Sequence, residues 1–226
     1  MARIFAISRH RIGTDGMGVT TLVAMLGCPL DCRYCLNKQC KAPASKTPEY
    51  SAAGLLEEVM IDDLYFQATG GGITFGGGEP LLYPDFIAEF KSLCPAEWKM
   101  NIETSLAVPQ QNVEKIVPLA DCMIIDTKDL DNSIYTAYTG KDNGLLMSNL
   151  EWIIEAGLQD KCLLRLPLIK GYNSPRCVSR SRIKLAAMGF RHFDEFNYII
   201  SKDEANTDDN RDNAADVRLM GIPELS

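Results

Sequence analysis

The chain has 226 residues, of which 46% are hydrophobic and 23% charged, enough for one buried core and unlike a disordered, collagenous or coiled-coil composition. Its formal net charge of −7 argues against a nucleic-acid partner, which needs clustered Lys and Arg. No run of about eighteen apolar residues offers a membrane span, and the apolar stretch of the N-terminal MARIFAISRHRIG is too short for a signal peptide, so a cytoplasmic protein is expected.

In chain order, Val19–Gly27 is β-branched and apolar and predicts a strand that runs into a cysteine-rich loop. Ser51–Gln67 has helical periodicity, with Leu55, Leu56, Val59, Met60 and Leu64 on one side and Ser51 as N-cap. Gly72–Phe75 is a short strand that ends in glycines, and Pro84–Leu93 is a helix opened by Pro and Asp. A strand at Lys99–Glu103 and a helix at Pro109–Leu119 follow, then a buried strand at Cys122–Thr127. Helices near Ser133–Tyr138 and Gly144–Ala156 precede a strand at Lys161–Ile169, a helix at Pro175–Met188 and a last strand at Phe193–Ile200.

Such alternation implies an α/β fold with a parallel sheet covered by helices. Six βα steps, or nearly so, predict an incomplete (βα)6 TIM-like barrel, with active residues at the C-terminal ends of the strands. The organisation expected is a single domain over 1–226 with a polar, acidic tail from about residue 201, read as a solvated loop.

Three of the eight cysteines, Cys28, Cys32 and Cys35, stand in GCPLDCRYCLN with C-x3-C-x2-C spacing. Three thiolates on so short a loop can ligate one cubane iron–sulfur cluster and leave its fourth iron open, which means chemistry at the cluster rather than electron transfer alone. A zinc site or a ferredoxin-type site completed by Cys40 is the alternative, although neither usual spacing stands here. The remaining cysteines, Cys40, Cys94, Cys122, Cys162 and Cys177, are read as buried free thiols that pack as small hydrophobes.

A second feature is TFGGGEPLL at Thr74–Leu82, where three glycines end a strand and let a ligand approach the backbone. It lacks the pattern of a phosphate-binding loop, and Glu79 would repel phosphate. Asp126 and Arg165 are charges inside apolar strands and need partners, since an unpaired buried charge is costly.

The cysteine loop, with aromatic Tyr34 before its last cysteine, resembles the signature of radical S-adenosylmethionine (radical SAM) enzymes. From about Gly13 to Ser174 the resemblance narrows to the activating enzymes of glycyl radical enzymes, the pyruvate formate-lyase activase type. It is carried by GTDGMGVTTLVAMLGC, IIDTKDLDNSIYTAYTGKDN and LRLPLIKGYNS. The resemblance implies one 4Fe–4S cluster on Cys28, Cys32 and Cys35 and S-adenosyl-L-methionine as cofactor. It assigns cofactor contacts to Tyr34, Asn37, Gly76, Gly77, Gly78, Glu79, Lys128, Arg165 and Pro167.

It further implies a monovalent cation, Na+ or K+, at Glu103, Thr104, the Ile124 backbone and Asp126, and a protein-substrate contact at Asp15. The partners implied are a glycyl radical enzyme, whose glycine α-hydrogen is abstracted, and flavodoxin or ferredoxin as electron donor. Oxygen sensitivity is expected of an exposed cluster edge. This chain departs from the family pattern at Leu36, where histidine is common, at Met17 and Thr20, at Glu103, and at Ser105–Leu106. Those departures keep open action on another peptide or a small metabolite. A non-enzymatic metal or electron-transfer module is the alternative from another class. Only Cys40 falls between Cys35 and Gly70, so an inserted two-cluster ferredoxin domain has no room.

Overall fold

The computed structural model describes residues 1–198. Two strands, β1 (Ala2–Ile12) and β2 (Val19–Met25), form an antiparallel hairpin that pairs Ile4 with Met25 and Ile12 with Val19. A two-residue β3 (Glu49–Tyr50) adds to the outer edge of β1. Parallel strands β4 (Gly72–Gly77), β5 (Lys99–Thr104), β6 (Cys122–Asp126), β7 (Cys162–Leu168) and β8 (His192–Asn197) continue from β2. The sheet order is β3-β1-β2-β4-β5-β6-β7-β8, and the two end strands are not paired to each other. This is an incomplete TIM-like barrel, with an antiparallel hairpin added at one side.

Helices α1 (Ala52–Val59), α2 (Asp63–Thr69), α3 (Pro84–Leu93), α4 (Gln110–Ile116), α5 (Asn132–Thr139), α6 (Gly144–Glu155) and α7 (Pro175–Met188) connect the strands. Their apolar faces meet one face of the sheet. There Ile73 and Phe75, Met100 and Ile102, Met123 and Ile125, and Leu164 and Leu166 share a core with Ile87, Phe90, Ile116 and Ile153. Because strand side chains alternate, the residues between these face the other way. They are Thr74 and Gly76, Asn101 and Glu103, Ile124 and Asp126, and Leu163 and Arg165. The register sets Glu103 beside Ile124 and Asp126 beside Arg165, so polar and charged groups gather on the concave side.

Several sequence expectations need correction. The hairpin strand β1 was not expected, because ARIFAISRHRI mixes charges into its alternation. The helix expected over Ser51–Gln67 is capped as anticipated, Ser51 Oγ accepting the Gly54 N–H at 3.0 Å, but it breaks into a 3-10 turn at Met60–Asp62. Asp62 turns inward there, accepting from Arg9 at 2.6 Å and from the Thr21 hydroxyl at 2.8 Å. The break shifts the helical phase, so Met60 and Leu64 are exposed and Phe66 is buried instead. The last strand ends at Asn197, and the polar tail from about residue 201 lies outside the described residues. Among the described residues, no helix is long and apolar enough to cross a membrane.

Candidate active site

The cysteine loop leaves β2 at Gly27 and is held at three points by backbone hydrogen bonds. Gly27 N–H donates to the Cys40 carbonyl at 2.7 Å, while Asp31 and Arg33 N–H donate to the carbonyls of Thr139 and Tyr138 at 2.8 and 3.0 Å. Those last two carbonyls belong to the final turn of α5, where helix geometry provides no partner within the helix. The loop is therefore fixed between a strand end and a helix end. Tyr34 does not line the clefts around the cysteines; it is buried against Tyr138 and Tyr172, at ring-centroid distances of 6.2 and 5.8 Å.

Cys28, Cys32 and Cys35 face two adjoining clefts. The outer cleft is lined also by Cys40, Lys41, Tyr138 and Tyr172. The inner cleft runs from the cysteines to the strand ends and is lined by Asn37, Gly77, Gly78, Glu79, Glu103, Thr104, Ser105, Asp126, Lys128 and Arg165. Leu30, Leu36, Phe196 and Tyr198 supply its apolar wall. All eight cysteines are free. Burial pushes the Cys28 thiol up to about 12 and raises Cys32 as well, so an entering metal must displace protons, which leave to solvent.

The glycine run adjusts the backbone beside this loop. Gly77 has φ +80°, a left-handed value that favours glycine, and a Cβ on Gly78 would run into the carbonyl oxygens of Gly27 and Met25. The two strand exits are joined by Gly78 N–H to Met25 O at 3.1 Å and Glu79 N–H to Gly27 O at 2.7 Å. Gly76 stays within β4, outside the cleft lining, and a Cβ there would press on the Glu103 carboxylate at 2.8 Å.

Glu79 is fully buried. It accepts from the Thr104 hydroxyl at 2.6 Å, from the Ser105 N–H and hydroxyl at 2.9 and 2.6 Å, and from the Leu81 N–H at 3.2 Å. Burial pushes its carboxyl up, against the pull of those four donors. Arg165 is ion-paired with Glu103, lies 3.9 Å from Asp126 and 3.8 Å from Asp194, and donates to the Thr14 carbonyl. Lys128 lies 2.9 Å from Asp126, at φ +60°, a conformation non-glycine residues seldom hold outside functional sites. Burial and then the facing Asp126 raise Glu103, while burial opposes the charge on Arg165 and Lys128 and their carboxylate partners outweigh it.

Of the residues named for a cation, Glu103, Thr104 and Asp126 line the inner cleft. Thr104 gives its hydroxyl to Glu79, Glu103 and Asp126 are engaged by Arg165 and Lys128, and Ile124 does not line the cleft. Asp15 is 2% exposed, ion-paired with Arg11 and absent from the cleft lining, while its carbonyl accepts the Thr74 hydroxyl. Pro167 also lies outside the lining, its carbonyl accepting from Asn173 at 3.0 Å. Phe196 and Tyr198 went unmarked in the sequence, and Ser105 was noted only as a departure from the family pattern. They sit just beyond β5 and at the end of β8, so only the strand-end rule could have pointed to them.

The thiol-sulfur donor set suits an iron–sulfur cubane, which asks one thiolate of each ligated iron. Among the described residues, no three His, Cys, Asp or Glu side chains close on a point where a single ion would sit. Of the other five cysteines, all free, Cys40 and Cys162 are buried and Cys94 packs against the core as expected, but three are not fully buried. Cys40 joins the outer cleft, Cys94 and Cys122 are half-buried, and Cys177 sits in the first turn of α7 with its thiol 3.2 Å from Ser174 Oγ.

With a splayed parallel barrel, a cysteine triplet at the end of β2 and glycines at the end of β4, the chain belongs to the Radical SAM superfamily, whose family model matches residues 22–175. Within it the chain falls among the activating enzymes of glycyl radical enzymes. It is 34% identical to the (2S)-3-sulfopropanediol dehydratase activating enzyme of Klebsiella oxytoca, over 75% of this chain and 72% of that one. It is also 34% identical to the pyruvate formate-lyase-activating enzyme of Clostridium pasteurianum, over 62% of this chain and 58% of that one. Among solved structures, Streptococcus suis SuiB bound to precursor peptide SuiA has a TM-score of 0.61 at 16% identity, covering 83% of this chain and 44% of that one. That last likeness concerns the fold alone.

Proposed function

We propose that Cys28, Cys32 and Cys35 hold one 4Fe–4S cluster, that S-adenosylmethionine binds in the inner cleft, and that the pair generates a glycyl radical on a partner protein. When bound, the cluster would supply the one electron for reductive cleavage of the cofactor's sulfur–C5′ bond, with methionine and 5′-deoxyadenosine as products, the latter carrying the glycine α-hydrogen. Everything else falls to this chain's side chains and backbone. The carbonyl-rich exit of β4 at Gly77 and Gly78, with the Glu79 carboxylate behind it, suits the cofactor's ammonium. Arg165 and Lys128 suit its carboxylate and ribose, and Asn37 stands at the rim between cysteine loop and cleft. Leu30, Leu36, Phe196 and Tyr198 keep water from the reacting atoms.

The observation that carries this reading is that the three thiols face the same cleft as a buried lysine, a half-buried arginine and a backbone free of side chains. No side chain is asked to act as general base. A glycine radical is stabilised by its flanking amides and has no side chain to hinder planarity, so the protein substrate presents a glycine. The chain acts as one domain, with an acidic or small electron carrier such as flavodoxin or ferredoxin as reductant. An oxygen-poor cytoplasm suits an iron corner open to a cofactor. The reading extends to a monovalent cation, Na+ or K+, at Glu103, Thr104, the Ile124 backbone and Asp126, three of which line the inner cleft.

The test is electron paramagnetic resonance after anaerobic incubation of the reduced, cluster-loaded chain and S-adenosylmethionine with a glycyl radical enzyme. A glycine-centred doublet that disappears with Cys32→Ala is expected. Formation of 5′-deoxyadenosine without any such doublet, across glycyl radical enzymes of several classes, would favour a peptide or small-metabolite substrate instead.

A further inference from the structure

The three thiols face two clefts, and only one of these holds the groups read as cofactor contacts. Asn37, Glu79, Lys128 and Arg165 line the inner cleft, and none of them lines the outer one. The outer cleft gives access to the cysteine sulfurs without passing the cofactor. Its charged wall is made by Arg33, Lys38 and Lys41, all exposed, against the single acid Asp31. Lys41 and Asp31 are paired at 2.6 Å, but an exposed pair of this kind is weak and opens readily. The cleft thus carries a positive excess on a chain whose formal net charge is −7. Its frame is fixed, because the Arg33 N–H is bonded to the Tyr138 carbonyl and Tyr138 packs on Tyr172, with ring centroids 5.1 Å apart. Helix α7 is also strongly basic, with Arg176, Arg180, Arg182 and Lys184, but none of these lines either cleft.

We infer that the outer cleft is the docking surface for an acidic one-electron carrier protein, which reduces the cluster from the cleft that the cofactor leaves open. The inference rests on the reading that Cys28, Cys32 and Cys35 hold a cluster, and it adds where the reductant sits. A partner seated there reaches the ligand sulfurs and not the inner cleft. It can therefore exchange an electron with the cluster but cannot present a glycine to the cofactor. The carrier is oxidised by one electron and the cluster reduced by one, with no bond made or broken at the surface. Charge sets the orientation of the encounter. An acidic chain repels an acidic partner over most of its surface, so a basic rim at the cleft steers productive approach to that one place.

The test compares the cluster-loaded native chain with the double variant Lys38→Glu, Lys41→Glu, using an acidic flavodoxin as probe. At low ionic strength the association rate should fall about tenfold or more in the variant, and the difference should close as salt is raised. With dithionite in place of flavodoxin, both chains should release the same final amount of 5′-deoxyadenosine, since the inner cleft is untouched. Equal association rates at low salt would overturn the inference. So would a variant that binds flavodoxin normally yet yields less glycyl radical under dithionite, which would place the glycine-bearing partner at this cleft instead. Should the variant take up no cluster, carbodiimide cross-linking of the native chain to flavodoxin decides. Cross-links at Lys38 or Lys41 support the inference, and cross-links confined to Lys184 overturn it. An iron- and sulfide-loaded native chain that releases no 5′-deoxyadenosine under dithionite would sink the underlying reading. Unaltered flavodoxin association alongside intact dithionite-driven cleavage sinks this inference alone.

Discussion

Arg165 projects from β7 between two carboxylates, paired with Glu103 and 3.9 Å from Asp126, with Lys128 on the far side of Asp126. Removing it would leave Glu103 and Asp126 facing each other with one cation for two acids. Arg165→Gln should therefore cost about 2 kcal/mol in urea unfolding. That is below the usual figure for a fully buried pair, since the Glu103 side chain keeps 22% of its exposure. S-adenosylmethionine affinity, read by calorimetry on the cluster-loaded variant, should fall about tenfold or more. Unchanged affinity would remove Arg165 from the cofactor cleft. The charges in this group were legible because an ionised residue inside an apolar strand demands a partner, and the strand register supplies one. The particular partners were not legible. A sequence does not say that Thr104 turns to Glu79, or that Tyr34 packs among tyrosines.

The element that depends most on a missing side chain is the exit of β4, laid against the exit of β2 through Gly78 and Glu79. Gly78→Ala puts a methyl group into the carbonyls of Gly27 and Met25, so the two exits must part. The expected result is a loss of about 2 kcal/mol in stability and weak cluster uptake, with near-native circular dichroism. Full uptake at native stability would show that the exits tolerate separation. The parallel strands and the helices Pro84–Leu93 and Pro175–Met188 were readable because their apolar period and capping residues agree with their packing. The hairpin of β1 was not, since Arg9, His10 and Arg11 interrupt its apolar pattern and its pairing with β2 is a tertiary fact. The break at Met60–Asp62 escaped for a related reason, because its cause is a distant ion pair with Arg9.

Across the whole molecule, the barrel is held by many such cross-strand links, and Asp121 at the start of β6 is a clear one. It accepts the Met100 N–H at 2.9 Å and pairs with Lys91 at 3.2 Å and Lys99 at 3.1 Å. Burial favours its neutral form, but those partners outweigh burial and hold the carboxyl below its ordinary value. A depressed folded pKa contributes stability above the unfolded value, and that stability is lost as pH falls through the folded one. Native protein should therefore lose stability below about pH 4, and Asp121→Asn should show a flatter acid limb in denaturant midpoint against pH. The incomplete barrel itself was legible in the succession of βα units, whereas the side on which it stays open depends on the β1 hairpin. That hairpin also sends its turn inward, so that Thr14 reaches Arg165 and Asp15 reaches Thr74. The central claim is that the cleft beside Cys28, Cys32 and Cys35 cleaves S-adenosylmethionine. Its most direct test is chromatographic assay of products from the anaerobically reconstituted, chemically reduced chain. Methionine and 5′-deoxyadenosine in equal amounts, abolished by Cys28→Ala, are expected; a fully iron- and sulfide-loaded chain that leaves the cofactor intact would contradict the account.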